Sequence, residues 1–186
     1  MRFLTAAELA AGLDHVTMSP QEVGRVELIV RRPQPGARDV VTEGTLDPDV
    51  GLVGDGWLVR GSTKTEDGRA HPDMQLNVMN ARMAALVAVE PDRRALAGDQ
   101  LYVDLDLSEE NLPPGTRLAL GSAVIEVTDQ PHRGCAKFSG RFGVDALRFV
   151  NSEQGRILRL RGMNTKVVVG GTVRVGDTVE KLRPLP

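Results

Sequence analysis

The residues with most chemistry to offer lie in one stretch, Gln-Pro-His-Arg-Gly-Cys-Ala-Lys-Phe-Ser-Gly-Arg-Phe-Gly, residues 130–143. It carries Cys135, the single cysteine of the chain, among His132, Arg133, Lys137 and Arg141. Positive charge beside a thiol favours the thiolate, the form that attacks electrophiles and binds soft metals. His132 is spaced to orient Cys135 or take its proton, as a base beside a sulfur nucleophile would. Arg133, Lys137 and Arg141 are placed to hold an anion against the thiolate, and Gly134 would let a ligand approach the backbone closely. The competing reading is plainer. A lone cysteine is commonly a small buried hydrophobe, and each of these cations a solvated side chain. Phe138 and Phe142, four residues apart, would anchor the loop to a core.

Other chemistries lack their patterns. There is no Gly-x-Ser-x-Gly elbow, no Gly-x-Gly-x-x-Gly turn and no phosphate loop. His132 and Cys135 have the spacing of two zinc ligands, but zinc needs three or four, and His15 and His71 are remote in sequence. Asp47, Asp49 and Asp55 miss the spacing of a calcium loop and read as solvated carboxylates of a glycine-punctuated turn. Asn80 and Arg82 stand at a strand-to-helix junction. They are a cap and a solvated cation, or else a phosphate site at exposed N–H groups. Arg156, Arg159 and Arg161 form a cluster among otherwise scattered cations.

The 186 residues suit one domain, long enough to bury about 70% of the surface an unfolded chain exposes. A net charge of −2 gives no case for nucleic acid or an anionic membrane as partner. One cysteine rules out an internal disulfide and predicts a reducing compartment, most simply the cytoplasm. Glu8 and Asp14 interrupt the only early apolar region, which argues against a secretory signal. The longest apolar run, Met83–Val89, is too short to span a bilayer. The partner expected is a small-molecule or cofactor ligand.

Short strands must position these residues. Thr5-Ala-Ala-Glu8 is a capping box and predicts a helix through about Gly12, within an N-terminal helical extension of residues 1–20. Residues 21–186 form the main domain. Val26, Leu28 and Val30 alternate with charged residues, as in a half-buried strand. A short strand is predicted over Trp57–Arg60, then a polar loop over Gly61–Met74 that could close over the site. Met74–Met79 predicts a strand, Asn80 caps a helix over Ala81–Val89, and Leu101–Leu107 alternates as a strand. Leu118–Leu120 and Ala123–Val127 are strands joined at Gly121-Ser122, and Asp145–Asn151 reads as a short helix. The segment Gly115-Thr-Arg-Leu-Ala-Leu-Gly121-Ser-Ala-Val is echoed by Gly170-Gly-Thr-Val-Arg-Val-Gly176-Asp-Thr-Val. Each reads as a glycine-turned hairpin, and two such hairpins suit a barrel. The fold class is mainly β, barrel-like, with two or three short α-helices.

Several of these segments together resemble a MOSC domain, the module related to the C-terminal part of molybdenum cofactor sulfurase. They are Gly24-Arg-Val-Glu-Leu-Ile, Gly51-Leu-Val-Gly-Asp, the Asn77–Val89 strand-helix, Gly98-Asp-Gln-Leu-Tyr-Val, the run from Leu112 to Val127, Cys135 in its loop, and the closing Gly-Asp-Thr-Val. The resemblance implies a small stand-alone member with a barrel of the PK β-barrel type. It implies that Cys135 matches the family's reactive cysteine, which carries a persulfide sulfur or ligates molybdenum held by a pyranopterin. Lys137 then stands where the family often has a basic residue serving the cofactor's phosphate, with Arg82 and Arg60 as further candidates. The family's cysteine commonly follows proline directly, whereas here His-Arg-Gly separates Pro131 from Cys135. The functional expectation is binding of molybdenum cofactor, with reduction of N-hydroxylated compounds or sulfur transfer to a metal centre. Electrons or sulfur would come from a partner protein. The alternatives are a metal-free sulfurtransferase or persulfide carrier, and a non-catalytic β-barrel that binds a ligand.

Overall fold

A computed structural model describes residues 2–183. Its frame is a closed barrel, and the strand that closes it is the first, β1 (Val23–Arg31). Residues Val23–Arg25 of β1 pair antiparallel with Thr178–Glu180 of the last strand, β11 (Thr178–Lys181). The other end of β1 carries β2 (Asp39–Val41), which hangs outside the ring. From β11 the barrel continues through β7 (Arg117–Leu120), β8 (Ala123–Val127), β9 (Met163–Val169), β5 (Leu76–Asn80) and β6 (Leu101–Asp104), then returns to β1. All neighbours are antiparallel except β5 and β6. Parallel strands need a crossover, here α3 (Ala81–Ala88) followed by a 3-10 segment, Pro91–Ala97. A separate sheet of β3 (Glu43–Asp47), β4 (Gly51–Leu52) and β10 (Gly171–Arg174) adds Leu46, Leu52 and Val173 to the barrel's core.

Two apolar clusters explain why Leu28–Val30 of β1, Val78–Met79 of β5 and Leu101–Val103 of β6 are apolar at consecutive positions. Ile29, Val78, Leu101 and Val103 point into the barrel. Their sequence neighbours Val30, Met79 and Tyr102 point out, into a second core shared with helices. Both faces of β1, β5 and β6 are covered at these positions, which interrupts the polar alternation of a half-buried strand there. The covering helices are α1 (Ala6–Thr17), α3, α4 (Ala136–Phe142) and α5 (Val144–Asn151), which contribute Leu9, Met83, Phe138, Phe142, Ala146 and Val150. The capping box at Thr5 and Glu8 forms as its pattern predicts, but α1 runs on to Thr17.

Three expectations change. Trp57–Arg60 is a single helical turn, α2, because Trp57 is buried while Leu58 and Val59 face outward. The described residues hold six α-helices, more than the two or three expected, with α6 (Glu153–Ile157) the last. The first glycine hairpin is present as β7–β8, but the second is not a hairpin. Its strands part: β10 pairs with β3, while β11 pairs with β1 and β7. The turn at Gly176 moves the chain from the small sheet into the barrel. No helix among the described residues is long and apolar enough to cross a membrane.

Candidate functional site

The segment carrying Cys135 leaves the barrel at the end of β8 and is fastened at three points. Gln130 offers its carbonyl to Nδ2 of Asn164 on β9, at 3.1 Å. His132 places Nε2 2.9 Å from Oδ1 of Asp99, a fully buried carboxylate. Gly134 is gripped by Asn151 at the end of α5: its N–H donates to Oδ1 at 2.9 Å and its carbonyl accepts from Nδ2 at 3.0 Å. Downstream, Phe138 and Phe142 are buried with ring centroids 4.9 Å apart, anchoring α4 as their spacing predicts. Between these fixed points Cys135 is the N-cap residue of α4, and its thiol is exposed.

His132 faces Asp99 rather than the thiol, and no hydrogen bond joins His132 to Cys135 among the described residues. Arg161 completes the cluster. Its Nη1 donates to both Asp99 oxygens, at 2.9 and 2.7 Å, and its Nη2 donates to the Ala97 carbonyl. The guanidinium also lies over the Phe138 ring, 5.1 Å from its centroid. Burial alone would push the Asp99 carboxyl up, but the Arg161 charge and the His132 hydrogen bond win and hold it at about 2. For His132 the balance runs the other way. Burial and the Arg161 charge outweigh attraction to Asp99, so its pKa lies below the ordinary value. His132 is thus a neutral, locked side chain at pH 7.

A second buried pair extends this polar layer. Arg32 makes a fork to Asp55, Nε to Oδ2 and Nη2 to Oδ1, both 2.9 Å, and its Nη1 reaches the Gly98 carbonyl and Asn77. Asn77 passes the chain of bonds to Asn164 and so to Gln130 at the start of the cysteine stretch. The Asp55 side chain has no exposed surface, which corrects its reading as a solvated turn carboxylate. Burial raises its pKa, but the hydrogen bonds and charge of Arg32 leave it below the usual carboxylate range.

Gly98 lies where three guanidiniums converge. Besides Arg32 on its carbonyl, a Cβ at Gly98 would stand 3.2 Å from Arg38 Nη2 and 3.5 Å from Arg141 Nη1. Arg38 and Arg141 spend some donors on backbone carbonyls, Ala95 and Ala37 for the first and Leu96 for the second. Neither has a carboxylate partner among the described residues. Burial and then the neighbouring Arg141 charge depress the Arg38 pKa, as two adjacent cations require. Arg60, at the end of α2, is likewise held below its usual value by burial and by Arg32.

The remaining sequence candidates lie as follows. Arg133 and Lys137 are exposed on either side of Cys135. Gly134 packs on α5, where a Cβ would meet Leu147 at 2.8 Å and Val150 at 3.0 Å, so its small size serves packing. Asn80 caps α3 by accepting from Met83 N–H, while its amide donates to Ser19 and to the Leu105 carbonyl. Arg82 forks onto Asp104 at 2.7 and 3.0 Å and also reaches the His15 carbonyl. Both are committed to structural bonds. Sequence reasoning missed Arg32, Arg38, Asp99 and Asn151. A polar residue locked inside the Gly98-Asp99-Gln100 and Gly54-Asp55-Gly56 turns is the only local hint for the two carboxylates.

Among the described residues no three His, Cys, Asp or Glu side chains stand together as a metal cluster. What the arrangement can offer is one exposed soft ligand, Cys135, and a cationic surface with spare N–H donors.

Comparison with solved structures finds the same fold repeatedly, at identities that speak of fold alone. The YuaD protein from Bacillus subtilis is 16% identical with a TM-score of 0.65, over 88% of this chain and 98% of that one. YiiM from Escherichia coli is 23% identical with a TM-score of 0.55, over 87% and 71%. YiiM from Geobacillus stearothermophilus is 11% identical with a TM-score of 0.53, over 89% and 75%. Compared by sequence with curated proteins, the chain has no significant match. A family model does match, over residues 65–180, from the polar loop before β5 through the cysteine segment to the closing strand. On that match, which spans most of the barrel and all of the Cys135 segment, the chain belongs to the MOSC domain family.

Proposed function

We propose that this MOSC-domain protein binds a molybdenum–pterin cofactor, with the Cys135 thiolate as the protein's one ligand to the metal. The observation that carries the reading is an exposed thiol on a fastened segment, with no cluster of three metal-ligating side chains among the described residues. A soft sulfur donor suits a metal whose remaining ligands arrive with the cofactor. The donor set fits in a second respect. A pyranopterin carries a phosphate, and Arg38 and Arg141, neither with a carboxylate partner among the described residues, converge beside Gly98. Arg141 lies six residues along α4 from Cys135, about 9 Å of helix rise, so one extended ligand can meet both. Lys137 and Arg60 add charge, and Gly98 leaves room a side chain would fill.

When bound, the cofactor supplies two-electron chemistry, such as taking an N–OH group to N–H with two electrons and two protons and release of water. The chain's own residues bind and orient. His132, Asp99 and Arg161 fix the loop, and Asn151 fixes the peptide before Cys135. The electrons come from a separate redox protein. A second reading needs only the exposed thiol: a persulfide carrier without metal.

The test is protein purified from a host that makes the cofactor, assayed for molybdenum, pterin fluorescence and intact mass. Stoichiometric metal that is lost in Cys135→Ala and reduced in Arg38→Gln with Arg141→Gln is the expected result. A +32 Da adduct without metal selects the persulfide carrier instead. Protein with neither, whose native thiol also resists iodoacetamide, overturns both readings and leaves a ligand-binding barrel.

A further inference from the structure

The Arg156, Arg159 and Arg161 cluster plays no part in the proposal above as a group, yet the fold gathers it with Arg133. A cavity of about 580 Å³ is lined by residues 128–133 at the start of the cysteine segment, by Gly155 and Arg156 of α6, and by Arg159, Arg161, Gly162 and Met163. Neither Cys135 nor Arg38, Arg60 or Arg141 lines it. Its size is that of a small-molecule site.

Four arginines line this cavity, and their partners are unequal. Arg159 is held by the carbonyls of Leu107 and Leu112 through Nη1. Arg161 is paired with Asp99, yet its Nε is buried and has no hydrogen-bond partner among the described residues, in a residue 7% exposed. Arg133 and Arg156 are exposed and form no ion pair among the described residues. Against these four stand two lining carboxylates, Glu109 and Asp129. Glu109 acts on Arg159 through its charge, and Asp129 accepts from Gln130. Pro114, Pro131, Val150 and Met163 supply apolar wall.

We propose that this cavity binds a small organic molecule through a doubly charged oxyanion, a phosphate-like group, held by Arg133, Arg156 and the free donors of Arg159. The apolar wall takes the organic body. The site is independent of whatever Cys135 carries, and the Cys135→Ala protein retains it.

The test titrates inorganic phosphate into ¹⁵N-labelled protein, both native and Cys135→Ala, and follows backbone amides. The expected result is saturable shifts at residues 129–133 and 155–163 in both. Arg133→Gln with Arg156→Gln should weaken binding about tenfold, the loss of a charge-assisted contact. Glu109→Gln, which removes a repelling carboxylate, should tighten it severalfold. Both substitutions leave the buried Asp99–Arg161 pair alone, so folding is preserved. Shifts centred on Arg38 and Gly98 with a silent cavity would overturn the proposal. So would an affinity that ignores these charge changes, or no saturable shift at millimolar phosphate.

Discussion

His132 shows how far a residue's role can sit from its spacing. Its place three residues before Cys135 suggests a base for the thiol, but Asp99, 33 residues back in sequence, takes its ring nitrogen. That partner, and Arg161 a further 62 residues from Asp99, are brought together only by barrel closure. No local period or spacing announces such a trio, whereas the cysteine stretch is legible because its residues are adjacent in the chain. The charged groups facing His132 are Asp99, Arg161 and Arg32, and burial with the two cations lowers its pKa. The pH dependence follows in sign. Below about pH 6.5 the unfolded chain protonates this histidine while the folded protein still resists, so the unfolded state binds more protons and stability falls on acidification. Asp99 acts in a different window. Held at about 2, it contributes stability that is present above its unfolded value and is lost only as pH approaches 2. Denaturant midpoints should therefore fall between pH 7 and pH 5, and His132→Asn, which keeps a donor for Asp99, should flatten that slope. A slope unchanged in the variant would remove His132 as its source.

At the scale of elements, the cysteine segment is a loop held by the helix that follows it. Asn151 ends α5 and clamps both backbone groups of Gly134, directly before Cys135. Asn151→Ala removes both bonds and should cost about 1–3 kcal/mol, because two half-buried backbone groups lose their partner. Hydrogen exchange should quicken at residues 132–135 while the barrel strands stay protected. Uniform loss of protection would instead mean that α5 holds the whole fold. The sequence shows α5 through its apolar spacing, and the β7–β8 hairpin through Gly121-Ser122. It misleads where pairing decides. The Gly176 turn has the composition of a hairpin, yet its strands have different neighbours. Trp57–Arg60 has β-forming residues in a segment whose single buried ring is satisfied by one helical turn.

The whole molecule depends on a seam between its most distant strands. β1 and β11 are separated by most of the chain, and their pairing turns an open sheet into a barrel without free edges. Gly24 sits in that seam, paired with Val179 on one side, and on the other a Cβ would lie 2.0 Å from the Asp104 carbonyl oxygen of β6. The obstruction is backbone, so relief requires β1 to move away from β6. Gly24→Ala should therefore destabilise the protein by about 1–3 kcal/mol, the range for overpacking a close-packed site. The cost should register far from the substitution. Exchange protection should drop together at Val23–Arg25, at Thr178–Glu180 and in β6, because the three strands share one junction. Gly140→Ala provides the control, since a Cβ there meets nothing within 4 Å. If Gly24→Ala loosened only its own strand, closure would be a local contact rather than the feature that makes the barrel one cooperative unit. Loss across all three strands would make the seam the step on which the positions of Asp99, Arg161 and the cysteine segment depend.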